Sequence, residues 1–106
     1  MIKIEVVKYN EFIKSILVKG HANYSNGEDI VCAAVSSVVQ TALLGLNNVL
    51  NLNIDFVRKD GYLSFKIPEK LNEEKQIHCE VILKTMLEGL KDIQNGYQKF
   101  VKVEEK

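Results

Sequence analysis

The chain has 106 residues, 46% of them hydrophobic, and its fourteen basic side chains balance fourteen acidic ones. This length gives one globular domain, residues 1–106, and excludes two. With no net charge there is no global field to draw in nucleic acid or an anionic membrane, and no basic cluster interrupts the sequence, so neither is expected as a direct partner.

The elements follow in chain order. Ile2, Ile4 and Val6 alternate with Lys3 and Glu5, the pattern of a strand with one buried face. A strand opening this close to Met1 reads as structure and not as a secretory leader, which implies a cytoplasmic protein. Tyr9-Asn10-Glu11 suits a turn, and residues 12–19 a second strand. Ile16, Leu17 and Val18 in a row break its alternation, so it is expected to be buried on both faces or to carry a bulge.

Residues 20–28 form a loop of small and polar side chains. Asp29 then suits the N-cap of a helix running from 30 to about 50. That helix is uncharged and apolar nearly all round, so it needs cover on more than one side: the sheet, and a second copy of the chain. A homodimer is therefore expected. Ser36, Ser37, Gln40, Thr41, Asn47 and Asn48 make the stretch too polar for a membrane span.

Residues 53–59 and 62–67 read as strands joined at Asp60-Gly61, a dipeptide suited to a tight primed turn. Asn72 caps a second helix to about residue 94, with Asn95-Gly96 as its stop signal. Cys79, Ile82, Leu83, Met86, Leu90 and Ile93 make its core stripe, while Lys84, Glu88 and Lys91 face water. Residues 97–103 are the last strand. The order is β-β-α-β-β-α-β: an α+β domain with two helices packed on a mostly antiparallel or mixed five-stranded sheet.

The chemistry concentrates at Cys32 and His21. Cys32 lies in the first turn of the first helix, where the dipole favours a thiolate, and His21 stands across a loop at the end of the preceding strand. An imidazole so placed can take the thiol proton and serve as base to a nucleophile. A small core thiol and a polar strand-end histidine remain the alternative reading. Asp29 acts in two directions: its charge opposes a thiolate, yet it would help if it oriented His21.

The stretch Gly20-His21-Ala22, followed by Gly27 and Asp29-Ile30-Val31-Cys32-Ala33-Ala34-Val35-Ser36, resembles the signature of the ribosomal-processing cysteine proteases, the Prp family. The resemblance implies a cysteine endopeptidase that removes a short N-terminal extension from a large-subunit ribosomal protein, in support of ribosome assembly. It assigns Cys32 as nucleophile and His21 as general base and acid, with Asp29 and Ser36 as helpers. Under that reading the amides near Cys32 and Ala33 are natural oxyanion donors. Asn23, Tyr24, Ser25, Asn26 and Gly27 would form a gating loop over the thiol.

Two rival readings come from other classes. One is a non-catalytic ribosome-assembly or protein-binding module in which Cys32 only packs, and the other is a thiol redox sensor. A zinc site built from His21, Cys32, His78 and Cys79 is not expected, because adjacent helix residues point about 100° apart. No cofactor is expected: no phosphate-binding glycine loop or dinucleotide fingerprint is present. Both cysteines read as free thiols of a reducing compartment.

Overall fold

The computed structural model describes residues 1–25 and 29–106. Strand β1 (Ile2–Tyr9) and strand β2 (Phe12–Lys19) form a hairpin whose two-residue turn places both Asn10 and Glu11 at positive φ. Helix α1 (Ile30–Leu44) continues into a π-helical segment, Gly45–Val49, and strands β3 (Phe56–Lys59) and β4 (Tyr62–Lys66) form the second hairpin. Helix α2 (Glu73–Gly96) and strand β5 (Val101–Glu105) complete the chain. The element order and the α+β class match the sequence reading.

The sheet order is β3-β4-β2-β1-β5. Every pairing is antiparallel except β1 with β5, so the sheet is mixed. Alternate residues decide which face is covered. Ile2, Ile4, Val6, Ile16, Leu63, Phe65 and Val101 are buried beneath the two helices. Lys3, Lys19, Tyr62 and Lys102, one step away in register, are exposed on a bare face. Helix α1 contributes Val31, Val35, Val39 and Leu43 to the core, and α2 contributes Cys79, Leu83, Met86 and Leu90. Burying side chains of this size yields roughly 1.5–3 kcal/mol each. The outward positions of α1, Ile30, Ala33, Ser37, Thr41 and Leu44, are exposed and carry no charge.

The expected bulge lies in β2. Val7 faces Ser15 and Lys8 faces Ile13, which leaves Lys14 as the extra residue. The displaced Lys14 carbonyl accepts a hydrogen bond from Ile67 N at 2.8 Å, and Glu80, reaching over from α2, accepts one from Ile13 N at 3.0 Å. Glu80 is buried, which its polar character did not predict. Among the described residues its second oxygen makes no hydrogen bond and has only a long ion pair, 3.8 Å, to Lys84 Nζ.

The main departures from the sequence reading are three boundaries and one turn type, each with a local reason. Strand β3 starts at Phe56 and not at residue 53. The Asn47 side chain occupies the backbone of Ile54 from both sides, accepting from its N–H at 2.8 Å and donating to its carbonyl at 3.3 Å. Helix α2 runs through Asn95 and Gly96 to a Tyr97 cap, whose N–H returns to the carbonyls of Ile93 and Gln94. Gly96 does not adopt the left-handed conformation that would have ended the helix. Residues 97–100 then form a turn, so β5 begins only at Val101, opposite Ile2. Finally, the Asp60-Gly61 turn has positive φ at Gly61 alone, whereas a type I′ turn needs it at both central residues.

Candidate active site

Two glycines determine where His21 sits. Gly20 ends β2 at φ +97, and a Cβ there would lie 2.4 Å from the Met1 carbonyl oxygen. Its N–H donates to the Gly61 carbonyl at 2.9 Å, tying the end of β2 to the turn between β3 and β4. His21 therefore lies over that turn. A Cβ on Gly61 would come within 2.7 Å of His21 Nε2, so any side chain there would push the ring out of this position. Asp60 Oδ2 stands 3.7 Å from the same nitrogen.

Cys32 is held by the start of α1. Asp29 caps that helix: its Oδ1 accepts from Val31 N at 3.0 Å and Cys32 N at 3.1 Å, and its Oδ2 accepts from Tyr24 N at 3.1 Å. The Ala22 amide donates to Cys32 Sγ at 3.2 Å. Burial alone would raise the Asp29 carboxyl, but the amides of Cys32, Tyr24 and Val31 and the Cys32 thiol outweigh it and hold it below the usual aspartate range.

The thiol goes the other way. Burial pushes Cys32 up, the Ala22 amide partly offsets this, and the Asp29 carboxylate pushes it up further. Burial and the Asp29 carboxylate thus act against the thiolate bias expected from the helix dipole. The cap also engages both amides expected as oxyanion donors. Cys32 N donates to the Asp29 side chain, and Ala33 N donates to the Asp29 carbonyl at 3.0 Å.

Cys32 and His21 share one cavity of about 520 Å³, lined also by Ser36, Gln40, Arg58 and Asp60. Among the described residues they make no hydrogen bond to each other: His21 faces Asp60, while Cys32 faces Asp29 and the Ala22 amide. The orienting role expected of Asp29 toward His21 is accordingly not what the described contacts show. Ser36, half-buried one turn beyond Cys32, accepts a hydrogen bond from the Gln40 amide. Of the loop assigned to gating, Asn26 and Gly27 lie outside the described residues. Tyr24 stands edge-on to Tyr97 at 5.6 Å and to Phe100 at 5.2 Å but is exposed, as are Asn23, at positive φ, and Ser25.

No local pattern places Asp60, Gly61, Arg58 or Gln40 here. Asp60-Gly61 reads as a turn and nothing more until the pairing of Lys19 with Tyr62 brings the turn beside His21. His78 is exposed and Cys79 buried, so the two point apart. Among the described residues no group of His, Cys, Asp and Glu side chains is arranged to hold a metal ion.

A family model, cysteine protease Prp, matches residues 1–102. The chain belongs to this family. It is therefore an enzyme, a cysteine protease. Among solved structures, an essential ribosomal processing protease Prp of S. aureus with a covalently linked product peptide matches at 26% identity and TM-score 0.81, over 100% of both chains. The same S. aureus protease with a substrate peptide matches at 23% identity and TM-score 0.84, again over 100% of both. A Streptococcus mutans protein matches at 22% identity and TM-score 0.82, over 99% of this chain and 93% of that one. The last two likenesses concern the fold alone. No curated protein matches.

Proposed function

We propose that the chain is a cytoplasmic endopeptidase that removes an N-terminal extension from a large-subunit ribosomal protein, with Cys32 as nucleophile and His21 as its base. The observation that carries this reading is the shared cavity: a half-buried thiol and an imidazole open onto one space, and among the described residues the imidazole has no tighter ion-pair partner than an exposed aspartate 3.7 Å away. The S. aureus relative, a ribosomal processing protease, supports a ribosomal substrate.

The resting site needs one rearrangement before reaction. His21 turns from Asp60 toward Cys32, and a bound peptide displaces the water that would otherwise screen the pair. His21 then takes the thiol proton, and the sulfur attacks the scissile carbonyl carbon. As the tetrahedral adduct collapses, the C–N bond breaks and His21 returns its proton to the leaving amine. Water, deprotonated by the same imidazole, cleaves the resulting thioester and regenerates the thiol. The Ala22 N–H, 3.2 Å from Sγ, is a donor within reach of the oxyanion. Asp29 helps chiefly by fixing the Cys32 backbone, and Ser36 lines the floor.

The uncharged outer stripe of α1, with Ile30 and Leu44 more than half exposed, is read as the contact between two copies. Light scattering at micromolar concentration should give a dimer, and Leu44→Glu a monomer. A monomeric wild type defeats this part.

The activity is tested with a peptide spanning the extension and its cleavage point. Wild type should cleave it, whereas Cys32→Ala and His21→Ala should bind without cutting. Unchanged cleavage by Cys32→Ala would sink the proposal. Tight binding with no cleavage by wild type would favour a peptide-binding module.

A further inference from the structure

The bare face of the sheet carries a row of lysines that the sequence disperses. In register across all five strands stand Lys59 (β3), Tyr62 (β4), Lys19 (β2), Lys3 (β1) and Lys102 (β5). All five side chains are exposed. Lys3 lies directly opposite Lys19 on one side and Lys102 on the other. Like charges in directly opposed positions destabilise a sheet. Among the described residues, no carboxylate comes within ion-pair distance of Lys3, Lys19 or Lys59, and Lys102 reaches only Glu104, at 4.0 Å. Glu5 and Glu104 occupy the next row, where Lys106 pairs with both, at 2.7 and 3.9 Å, and the Glu5 carboxylate also feels Lys19 and Lys3.

The spacing has a chemical meaning. Neighbouring strands lie about 4.8 Å apart, so the row is a cationic ladder about 19 Å long. One aromatic ring, Tyr62, is set among the ammonium groups. Lysines that follow a backbone, with an aromatic on which a base can stack, are the elements of a single-stranded nucleic-acid platform. A chain of zero net charge that gathers lysines on one face must leave the rest correspondingly negative, and such a molecule presents this face first to a polyanion. The row also lies at the end of the sheet from which Gly20 and His21 emerge, so a strand lying on it passes the rim of the cavity.

We propose that this face docks single-stranded RNA through the phosphates and Tyr62, holding the protease beside its substrate. The choice of RNA over other polyanions rests on the reading of the substrate as a ribosomal protein, whose surroundings are RNA. The contacts themselves need only phosphates and a stacked base.

Fluorescence anisotropy with a labelled dodecauridylate tests this without using cleavage as the readout. Wild type should bind saturably at low salt, with log affinity falling linearly in log salt. Each phosphate contact contributes roughly 0.7 to the slope for a single strand, so Lys3→Gln/Lys19→Gln/Lys102→Gln should lower it by about two. None of these three lysines lines the cavity, so the triple variant should still cleave free peptide as wild type does, which also certifies its fold. Tyr62→Leu should weaken binding while leaving the salt slope unchanged. Absence of saturable binding at low salt, or an unaltered slope in the triple variant, overturns the proposal. So does equal competition by polyglutamate of matched charge, which would make the face a site for acidic polypeptide. Failure of peptide cleavage with RNA binding intact would count against the protease substrate reading and leave the platform standing.

Discussion

The two helices begin alike and end in opposite chemistry. Each opens on a side-chain cap, Asp29 on α1 and Asn72 on α2, and each carries a cysteine in its first two turns. Both thiols are shifted upward, and burial is the leading cause for each. Cys79, however, is wholly enclosed in the core, whereas Cys32 is half-buried on the wall of a cavity with an imidazole opposite. With Cys32 as the proposed nucleophile, what distinguishes the two thiols is what faces the helix start and not the helix start itself. A helix start favours a thiolate in both places, while burial pushes both thiols up.

The sharpest way to break this contrast is to remove each sulfur in turn. Cys32→Ala should lower peptide cleavage by roughly a thousandfold or more and leave the melting temperature nearly unchanged. Cys79→Ala should do the reverse: full cleavage, with a loss of about 1 kcal/mol, as for deleting one buried methyl-sized group. Urea titration and a peptide assay on both variants decide the matter. If Cys79→Ala lost activity at constant stability, the distinction between a core thiol and a site thiol would fail.

Next in size is Gly61→Ala. The new Cβ would sit 2.7 Å from His21 Nε2, and alanine is strained at φ +67. Misplacing a catalytic group by about 1 Å can cost on the order of a hundredfold. We therefore expect cleavage to fall by roughly tenfold to a hundredfold, with about 1 kcal/mol of stability lost to the strained turn. A variant that kept full activity would show that His21 works from a position well away from this turn.

These two sites also show what a one-dimensional reading can and cannot reach. Cap, thiol and helix were legible because they are local: Asp29, the spacing to Cys32 and the apolar run lie within a few residues. The element order was legible for the same reason, since period-two and period-3.6 patterns are short-range signals. The π-helical extension, the buried Glu80 and the turn beneath His21 were not. Each depends on a partner more than forty residues away or on a backbone hydrogen bond that the pattern does not encode. The lysine row was hidden for a related reason: Lys3, Lys19, Lys59 and Lys102 become neighbours only once the register is known.

A smaller effect is expected from Asp29→Asn. Asparagine caps a helix about as well as aspartate, so the helix should hold to within a few tenths of a kcal/mol. The negative charge beside Cys32 is gone, however, and the thiol titrates lower. Iodoacetamide should therefore alkylate Cys32 faster at pH 7, with the inflection of the rate moved to lower pH. The stability profile should change as well. A carboxyl held below its ordinary range contributes stability at neutral pH that is lost as pH falls through the native value, and the asparagine variant lacks that acid-side loss. An inflection that stayed in place would mean that burial alone sets the thiol.

The smallest effect is the mirror substitution at the other helix. Asn72→Asp places the same charge at the same cap position, but Cys79 lies seven residues on, about 10 Å along the axis at 1.5 Å per residue. Cys32 lies only three residues from its cap. At 0.15 M salt the Debye length is about 8 Å, so a surface carboxylate at the α2 start is largely screened from that thiol. Alkylation of Cys79 requires the core to open, so its rate follows the population of opened molecules. Asn72→Asp should leave both that rate and the melting temperature almost unmoved. A clear slowing of Cys79 alkylation would then report a stabilised α2 start, through the added charge at its N-terminus, and not a change at the sulfur. The electrostatic control of Cys32 by Asp29 is thus a matter of a single helical turn.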